Sequence, residues 1–308
     1  MEYQVYKFAF RTSVHFGSGG LTKTQNVFYA DTLFSALCIE AVRSGNDALE
    51  RLVGLVSRNQ IRLSDGLPYI QEKLYVPKPV MELKIENEGD SIKKKALKKL
   101  SYIPVDQMEE YLCGKMDVKA ESDYFHENFG KSSLIEKAVI QREQGAVPYA
   151  VNIFTYKNGS GLYILVGYEY EDDLRFIENL LEALSMSGLG GEVSSGYGRF
   201  DLYRGVLSDP YQRRLHQENT LYMTLSVSLP DDSEMDGVIK NASFRLIKRS
   251  GFVSSVRYAD TARKKKDLYV LASGATVTEP YDGIVADVSD AGRHPVYRYE
   301  KPMLLGVN

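Results

Sequence analysis

The sequence predicts an α+β fold in two units, each built around antiparallel sheet. Three observations carry that expectation. Apolar residues alternate with a period of two near the start of each half, in YKFAF at Tyr6 to Phe10 and in LYMTLSVSL at Leu221 to Leu229. Two stretches with a helical period of 3.6 lie in the first half, while the second is richer in strand patterns and poorer in helical ones. The 308 residues are 44% hydrophobic, enough for one large core or two ordinary ones.

Taken in order, Tyr6, Phe8 and Phe10 alternate with Lys7, Ala9 and Arg11, as in a strand with one buried face. A helix follows over TLFSALCIEAVRS, with Asp31 as its N-cap. Leu33, Leu37 and Ala41 share a face with Phe34 and Cys38, and Gly45 ends the helix. Further on, GLYILVGYEY reads as a strand. EDDLRFIENLLEALSMS then puts Leu174, Ile177, Leu181 and Leu184 on one helical face, with Glu171, Asp172 and Asp173 at the positive end of the dipole. A glycine-rich loop comes next, and Phe200 and Leu202 begin another strand. This β-α-(β)-β-α-β order predicts a ferredoxin-like (RRM-like) unit over residues 1–207. Inside it, roughly Lys78 to Val147 keeps neither period for long and reads as an insertion. Its KKKALKK run, with Lys93, Lys94, Lys95, Lys98 and Lys99, reads as a solvated helical face or a flexible arm. The alternative is an arm that touches phosphates or a neighbouring subunit. Residues 208–308 open with LYMTLSVSL, the cleanest strand pattern in the chain, which Pro230 and the following turn end. Strands are expected around SFRLIK, LYVLASGATV, GIVADV and VYRYEKPMLL. A divergent second ferredoxin-like copy fits that order.

Composition limits the function classes. A formal net charge of −3 argues against a binder that relies on a global basic field, and leaves a local groove open. There is no Trp, but 22 Tyr and 12 Phe provide flat rings, most for core and strands and a few for stacking. Cys38 and Cys113 read as two free thiols in a reducing compartment. The start of the sequence has no basic segment followed by an apolar one, and no apolar run approaches 18 residues. A soluble, cytoplasmic protein without membrane contact is expected. The motifs HExxH, CxxC, GxSxG, an EF-hand loop and GGDD are missing from the sequence, and no cofactor or metal is expected.

The most informative stretch is GLGGEVSSGYGRF, which sets Gly188, Gly190, Gly191, Gly196 and Gly198 close together after a helix. A dinucleotide fingerprint needs a strand before the glycines and a helix after them, and here the order is reversed. Gly191 to Gly196 has the spacing of a phosphate-binding P-loop, yet Tyr197 and Gly198 stand where Lys and Ser/Thr are required. Two readings remain. In one, the backbone N–H groups line an extended anionic ligand, with Ser194 and Ser195 as further donors, Arg199 as a charge and Tyr197 as a stacking ring. In the other, the glycines only let a helix pack close to a sheet.

The spacing GxGGxxxxGxGxF, met by Gly188, Gly190, Gly191, Gly196, Gly198 and Phe200, resembles the G-rich loop of the RAMP superfamily of CRISPR-associated proteins. Three further stretches resemble one branch of its Cas-five-like group, the fourth Csm subunits of type III-A effector complexes. They are HFGSGGL…ADTLFSAL, KRSGFVSS, and HPVYRYEKPMLLGV preceded by LYVLASGATV. The resemblance implies a non-catalytic RNA-binding subunit that holds the repeat-derived 5′ tag of the crRNA. Its partners would be the large polymerase/cyclase-like subunit and the first backbone subunit. The insertion would carry the family's thumb, and the glycine loop from Gly188 to Arg199 would touch the tag. Arg11, at the end of the first strand, and His15 and Phe16 after it fall where ferredoxin-like units meet RNA. Lys248, Arg249, Ser250, Gly251 and Phe252 suit a backbone clamp with a stacking platform, or a strand end and turn. The basic run Arg263 to Lys266 reads as a solvated hairpin tip, with RNA contact as the alternative. Two alternatives are a metal-independent RAMP endoribonuclease that recruits His15, and the equivalent tag-binding subunit of a type III-B complex.

Overall fold

A computed structural model describes residues 1–17, 19–45, 47–83, 91–141, 145–255 and 257–307. The chain is a mixed α/β structure whose sheets pair antiparallel. Its main sheet has seven strands. In chain order they are β1 (Glu2–Phe10), β2 (Ile61–Leu63), β3 (Leu67–Ile70), β4 (Lys73–Pro77), β5 (Tyr102–Pro104), β8 (Ser160–Tyr168) and β9 (Phe200–Gly205). Across the sheet the order is β9-β1-β8-β3-β4-β5, and β2 also pairs with β8.

Both faces of this sheet are covered, where the alternation in YKFAF predicts one. Tyr6 and Phe8 pack with Leu162, Ile164 and Phe200 against helices α1 (Ala30–Ser44) and α5 (Glu171–Ser187). Val5, Tyr163 and Leu165, on the opposite face, pack against Met223, Leu225, Met303 and Leu305 of the second half. That second layer explains the unbroken apolar run LYILV in β8: a strand buried on both faces has no polar side to show. Each fully buried ring or aliphatic side chain contributes about 1.5–3 kcal/mol.

The stretch read as an insertion is more regular than its sequence suggests. KKKALKK lies in α3 (Ser91–Lys99), where Lys95, Lys98 and Lys99 are exposed, as a solvated face requires. Helix α4 (Val118–Asn128) follows. Two twelve-residue strands, β6 (Gly130–Gln141) and β7 (Gly145–Tyr156), then pair in register from Gly130 with Tyr156 to Gln141 with Gly145. The outer part of this ribbon leaves Leu134, Val139 and Val147 exposed, while Val151, Ile153 and Phe154 at its base are buried. A ribbon with so little buried face produces little alternation, which is why its strands do not stand out in the sequence.

The second half departs further from expectation. LYMTLSVSL forms a ladder only at β10 (Tyr222–Thr224), between β13 (Thr276–Val277) and β16 (Leu304–Gly306). Leu225 to Ser228 continue fully buried, with both the apolar and the hydroxyl side chains inside. Isolated backbone bonds hold this part, Leu225 N to Met303 O at 2.7 Å and Ser228 N to Leu271 O at 3.1 Å, and a side chain adds to them: Ser226 Oγ donates to Lys301 O and accepts from Met303 N, each at 2.8 Å. The remaining predicted strands are present as separate pairs. β11 (Leu246–Arg249) pairs with β12 (Leu268–Leu271), and β14 (Ile284–Asp287) with β15 (Tyr297–Glu300).

Asp31 does not cap α1. Tyr29 holds the cap position without a side-chain bond, and the Ala30 N–H donates instead to Asp65 Oδ1 at 2.7 Å. The same oxygen accepts the Val227 N–H at 3.1 Å, so one buried carboxyl ties α1 to the second half. Asp31 is freed for the contact described next.

Candidate nucleic-acid interface

The glycine loop has a packed foot and an open crown. At the foot, Leu189 N donates to Gly198 O, Gly198 N to Ser13 O, and Gly191 N to His15 O, at 2.9, 2.9 and 2.8 Å. Gly198 has φ 74°, and a Cβ there would lie 2.1 Å from Leu189 O, so no other residue fits. At the crown Gly196 also has positive φ, 86°, but a Cβ there would meet nothing within 4 Å. Ser194, Ser195 and Arg199 are exposed, and their side chains make no hydrogen bond or ion pair among the described residues. The foot therefore serves packing, and the crown is left for something else. Tyr197 is half-buried; Lys137 of β6 sits 4.4 Å from its ring centre and 2.6 Å from Glu192, which docks the ribbon on the loop.

Two sequence expectations need correction. His15 does not face outward: it is 5% exposed, and its Nδ1 donates to Asn152 O of β7 at 2.7 Å. Phe16, 4% exposed, packs edge-on against Phe10 and Phe28 and offers no free ring face. Both lie under the loop because Gly190 and Gly191 allow close approach to the His15–Phe16 backbone. Arg11 is half-exposed and pairs with Asp201 at 3.0 Å.

Arg249 is also turned inward. Its guanidinium makes paired bonds of 2.9 and 2.8 Å to the Asp31 carboxylate and lies 4.4 Å from the centre of the Tyr29 ring. Neighbouring Lys248 points away and pairs with Asp267 at 2.7 Å. Ser250 and Phe252 are exposed, with Lys264 at 5.8 Å from the centre of the Phe252 ring.

These corrections reveal one groove. Gly190 and Gly191 form part of a wall, Arg249, Ser250, Gly251 and Phe252 another, with His15, Phe16 and the first turns of α1 between them; the volume is about 270 Å³. The loop and KRSGF, some sixty residues apart in sequence, meet there. The groove also holds two further cations, of which Arg298 was not considered from the sequence. Lys265, from the run read as a hairpin tip, turns in toward Ser35, and Arg298 is buried within β15 and donates to Arg249 O at 2.7 Å. Burial, followed by the Arg298 charge, holds the Lys265 ammonium below its usual range. Burial and the Asp31 charge push Glu300 well up, toward its neutral form. Among the described residues that line the groove, Asp31 is the one carboxylate, set against Arg249, Arg298 and Lys265. The only sequence signals for these residues were the cationic run itself and an Arg between two Tyr in a strand.

Among the described residues no group of three or more His, Cys, Asp or Glu could hold a metal ion, and no helix is long and apolar enough to cross a membrane. Residues 7–201 match the family model of the RAMP superfamily, and residues 217–307 match that of the CRISPR Csm4 C-terminal domain. A relative from Mycobacterium tuberculosis (strain H37Rv), described as CRISPR system Cms protein Csm4, is 37% identical, spanning 100% of this chain and 98% of its own. The chain belongs to the Csm4 family of the RAMP superfamily. A second Csm4, from Streptococcus thermophilus, is 29% identical over 98% of both chains. Among solved structures, a chain in the crystal structure of the Csm3–Csm4 subcomplex of the type III-A CRISPR-Cas interference complex matches with TM-score 0.69. It is 19% identical and covered fully in both directions. A chain of the Csm1–Csm4 cassette in complex with pppApA gives 0.65 at 18% identity. This Csm4-family chain thus keeps the fold across wide sequence divergence.

Proposed function

We propose that this chain is the crRNA-holding subunit of a type III-A (Csm) interference complex. It grips the repeat-derived 5′ tag and joins the large polymerase/cyclase-like subunit to the first backbone subunit. The observation that carries the reading is the groove in which the glycine loop and the Arg249–Phe252 segment face each other over a cationic floor. Family membership supplies the context. Structures with the same fold are described as assemblies with Csm3 and with Csm1, which is what a bridging subunit requires. Exposed Ser194, Ser195 and Arg199 contact phosphates at the crown. Phe252 offers the stacking face that Phe16 lacks, worth about 1–3 kcal/mol per base. Lys265 and Arg298 join Arg249 as the charges beneath the strand, while Lys248 and Arg11 contribute at the rim.

The subunit has no catalytic role of its own in this reading. A ribonuclease would need an accessible base, and His15 is buried and committed to the Asn152 carbonyl. Residues 1–207 form a ferredoxin-like RAMP unit, supported by the sheet order β9-β1-β8-β3 around two helices, with a thumb-like insertion whose ribbon reaches to Tyr156. Residues 208–308 form a divergent second unit. The complex works in the cytoplasm without a cofactor.

The test is to recover the tagged protein from its own host and sequence the 5′ ends of the RNA that accompanies it. A sharp pile-up at one repeat-derived 5′ end is expected, diminished when Ser194, Ser195 and Arg199 are changed together to Ala. Ends scattered over many transcripts would overturn the reading.

A further inference from the structure

Beside the groove lies a larger cleft of about 660 Å³, and Gln25, Val27 and Tyr29 line both. The insertion supplies Lys99, Tyr102, Phe125 and His126 to its walls, and the second half supplies Arg245. Apart from Lys99, whose run carried the alternative reading of an arm that touches phosphates, the sequence reading assigned none of these residues to a site.

Charge is the first argument. The chain has 41 acidic residues, yet among the described residues no Asp or Glu lines this cleft. Lys99 and Arg245 are exposed there and form no salt bridge among the described residues. Two exposed cations without a salt bridge among the described residues, in a concave wall, favour an anion. The rings are the second argument. Tyr102 and Phe125 stack at 5.8 Å between centres with planes 20° apart, and Arg249 lies over the ring of Tyr29, which the two sites share. Burial pushes the Tyr102 hydroxyl well up, so it remains a proton donor. His126 and Ser101 add polar edges. The volume falls within the roughly 300–1,000 Å³ of small-molecule sites. A phosphate for the cations, a flat ring for the aromatic wall and heteroatoms for the polar edges describe a nucleotide.

We propose that this cleft binds one nucleotide unit, with its phosphate at Lys99 and Arg245 and its base against the Tyr102–Phe125 wall. The inference rests on the RNA-holding reading, since the shared wall lets a strand in the groove turn one nucleotide aside. A free 5′-mononucleotide has the same chemistry.

The test uses the full chain with a 5′-fluorescein-labelled 12-nucleotide single-stranded RNA followed by anisotropy, AMP as competitor, and adducts mapped after irradiation at 254 nm. Lys99→Ala and Arg245→Ala should each weaken RNA binding about 3- to 10-fold. Loss of the phosphate contact should flatten the salt dependence by roughly 0.7 in log–log slope. Adducts should fall on the peptides holding Tyr102 or Phe125. Both cations are exposed, so melting temperatures should not move. AMP competition that Arg245→Ala abolishes would identify a free mononucleotide site, and its absence a strand-attached unit; either supports the cleft. Wild-type binding that neither variant changes, with adducts confined to the glycine loop and KRSGF, would overturn the cleft and leave the RNA-holding reading intact. If wild-type protein, alone and in its recovered complex, holds no RNA, both fall.

Discussion

Residues 1–207 hang on one continuous sheet of seven strands, whereas residues 208–308 form separate ladders of two or three. A large sheet satisfies its backbone internally, strand against strand, and presents wide faces to helices. Short ladders cannot, and the second half draws partners from the first. The Val227 N–H goes to Asp65, the Leu63 N–H and C=O bond the Tyr299 hydroxyl, and Arg62 donates to Pro302 O. Arg62 with Asp282 is a charged tie nearer the surface, and Asp31 with Arg249 a buried one. The comparison teaches that the second half has its structure largely as an interface, and that the groove floor is part of this interface. A residue that grips the other half and one that faces RNA can therefore be the same residue.

The sharpest way to break the contrast is to cut the buried tie. Asp31→Ala leaves the largely buried Arg249 guanidinium without its carboxylate and should cost about 3 kcal/mol or more. The double variant Asp31→Leu/Arg249→Met removes that pair and should recover only part of the loss, since the buried Arg298, 3.8 Å from Asp31, still loses its carboxylate. Chemical denaturation of the three proteins measures this. A single variant as stable as wild type would mean that the ladders cohere without the tie.

The next largest effect separates foot from crown within the first half. Gly198→Ala combines a left-handed backbone, about 1–2 kcal/mol for a residue with a Cβ, with a collision against Leu189 O. It should destabilise by about 2 kcal/mol or more. Gly196→Ala carries the same backbone penalty without the collision and should lose about 1 kcal/mol. Equal losses in thermal melts would show that the foot yields, and that the close packing seen there is not required.

Asp65 tests the joint between the halves through pH. Its Oδ2 has no hydrogen-bond partner among the described residues, and burial raises the carboxyl to about 7. Between about pH 4 and 7 the folded chain then keeps a proton that the unfolded chain has lost. Stability should fall as pH rises through that window, by up to about 1.4 kcal/mol per pH unit, and level off above it. Asp65→Asn keeps an acceptor for the Ala30 and Val227 N–H groups and cannot ionise. Melting temperatures from pH 5 to 8 should shift in favour of the variant as pH rises to 7. Glu300 is raised by burial and also by the Asp65 charge, so the comparison is repeated with Glu300→Gln in both proteins, where parallel curves would remove Asp65 as the titrating group.

The same contrast explains what the sequence could show. β1, β8, α5 and β9 are legible because their periods reflect wide buried faces, and the glycine spacing is legible because Gly198 admits no side chain. LYMTLSVSL misled because hydroxyls at Ser226 and Ser228, polar by type, are buried as hydrogen-bond partners. Asp31 misled because a carboxylate at a helix start has two uses, and the competing cap, Asp65, is thirty-four residues later in sequence. Lys265 and Arg298 were hidden because a cation that faces a distant carboxylate looks the same in sequence as one that faces water.

The smallest expected effect on stability bears most directly on function. If the crown of the loop is free for a ligand, changing Ser194 and Arg199 to Ala removes a hydroxyl and a charge that bond nothing else among the described residues. Unfolding should then move by no more than about 0.5 kcal/mol, the usual range for surface positions. RNA retention should drop, and more steeply at low than at high salt, because Arg199 is a solvent-exposed charge whose attraction to phosphate is screened. Side-by-side melts and RNA-binding titrations at two salt concentrations measure both. Loss of stability without loss of binding would assign the crown to packing, as the foot already is. Loss of binding alone would mean that a single loop divides its glycines between holding the fold and holding the ligand.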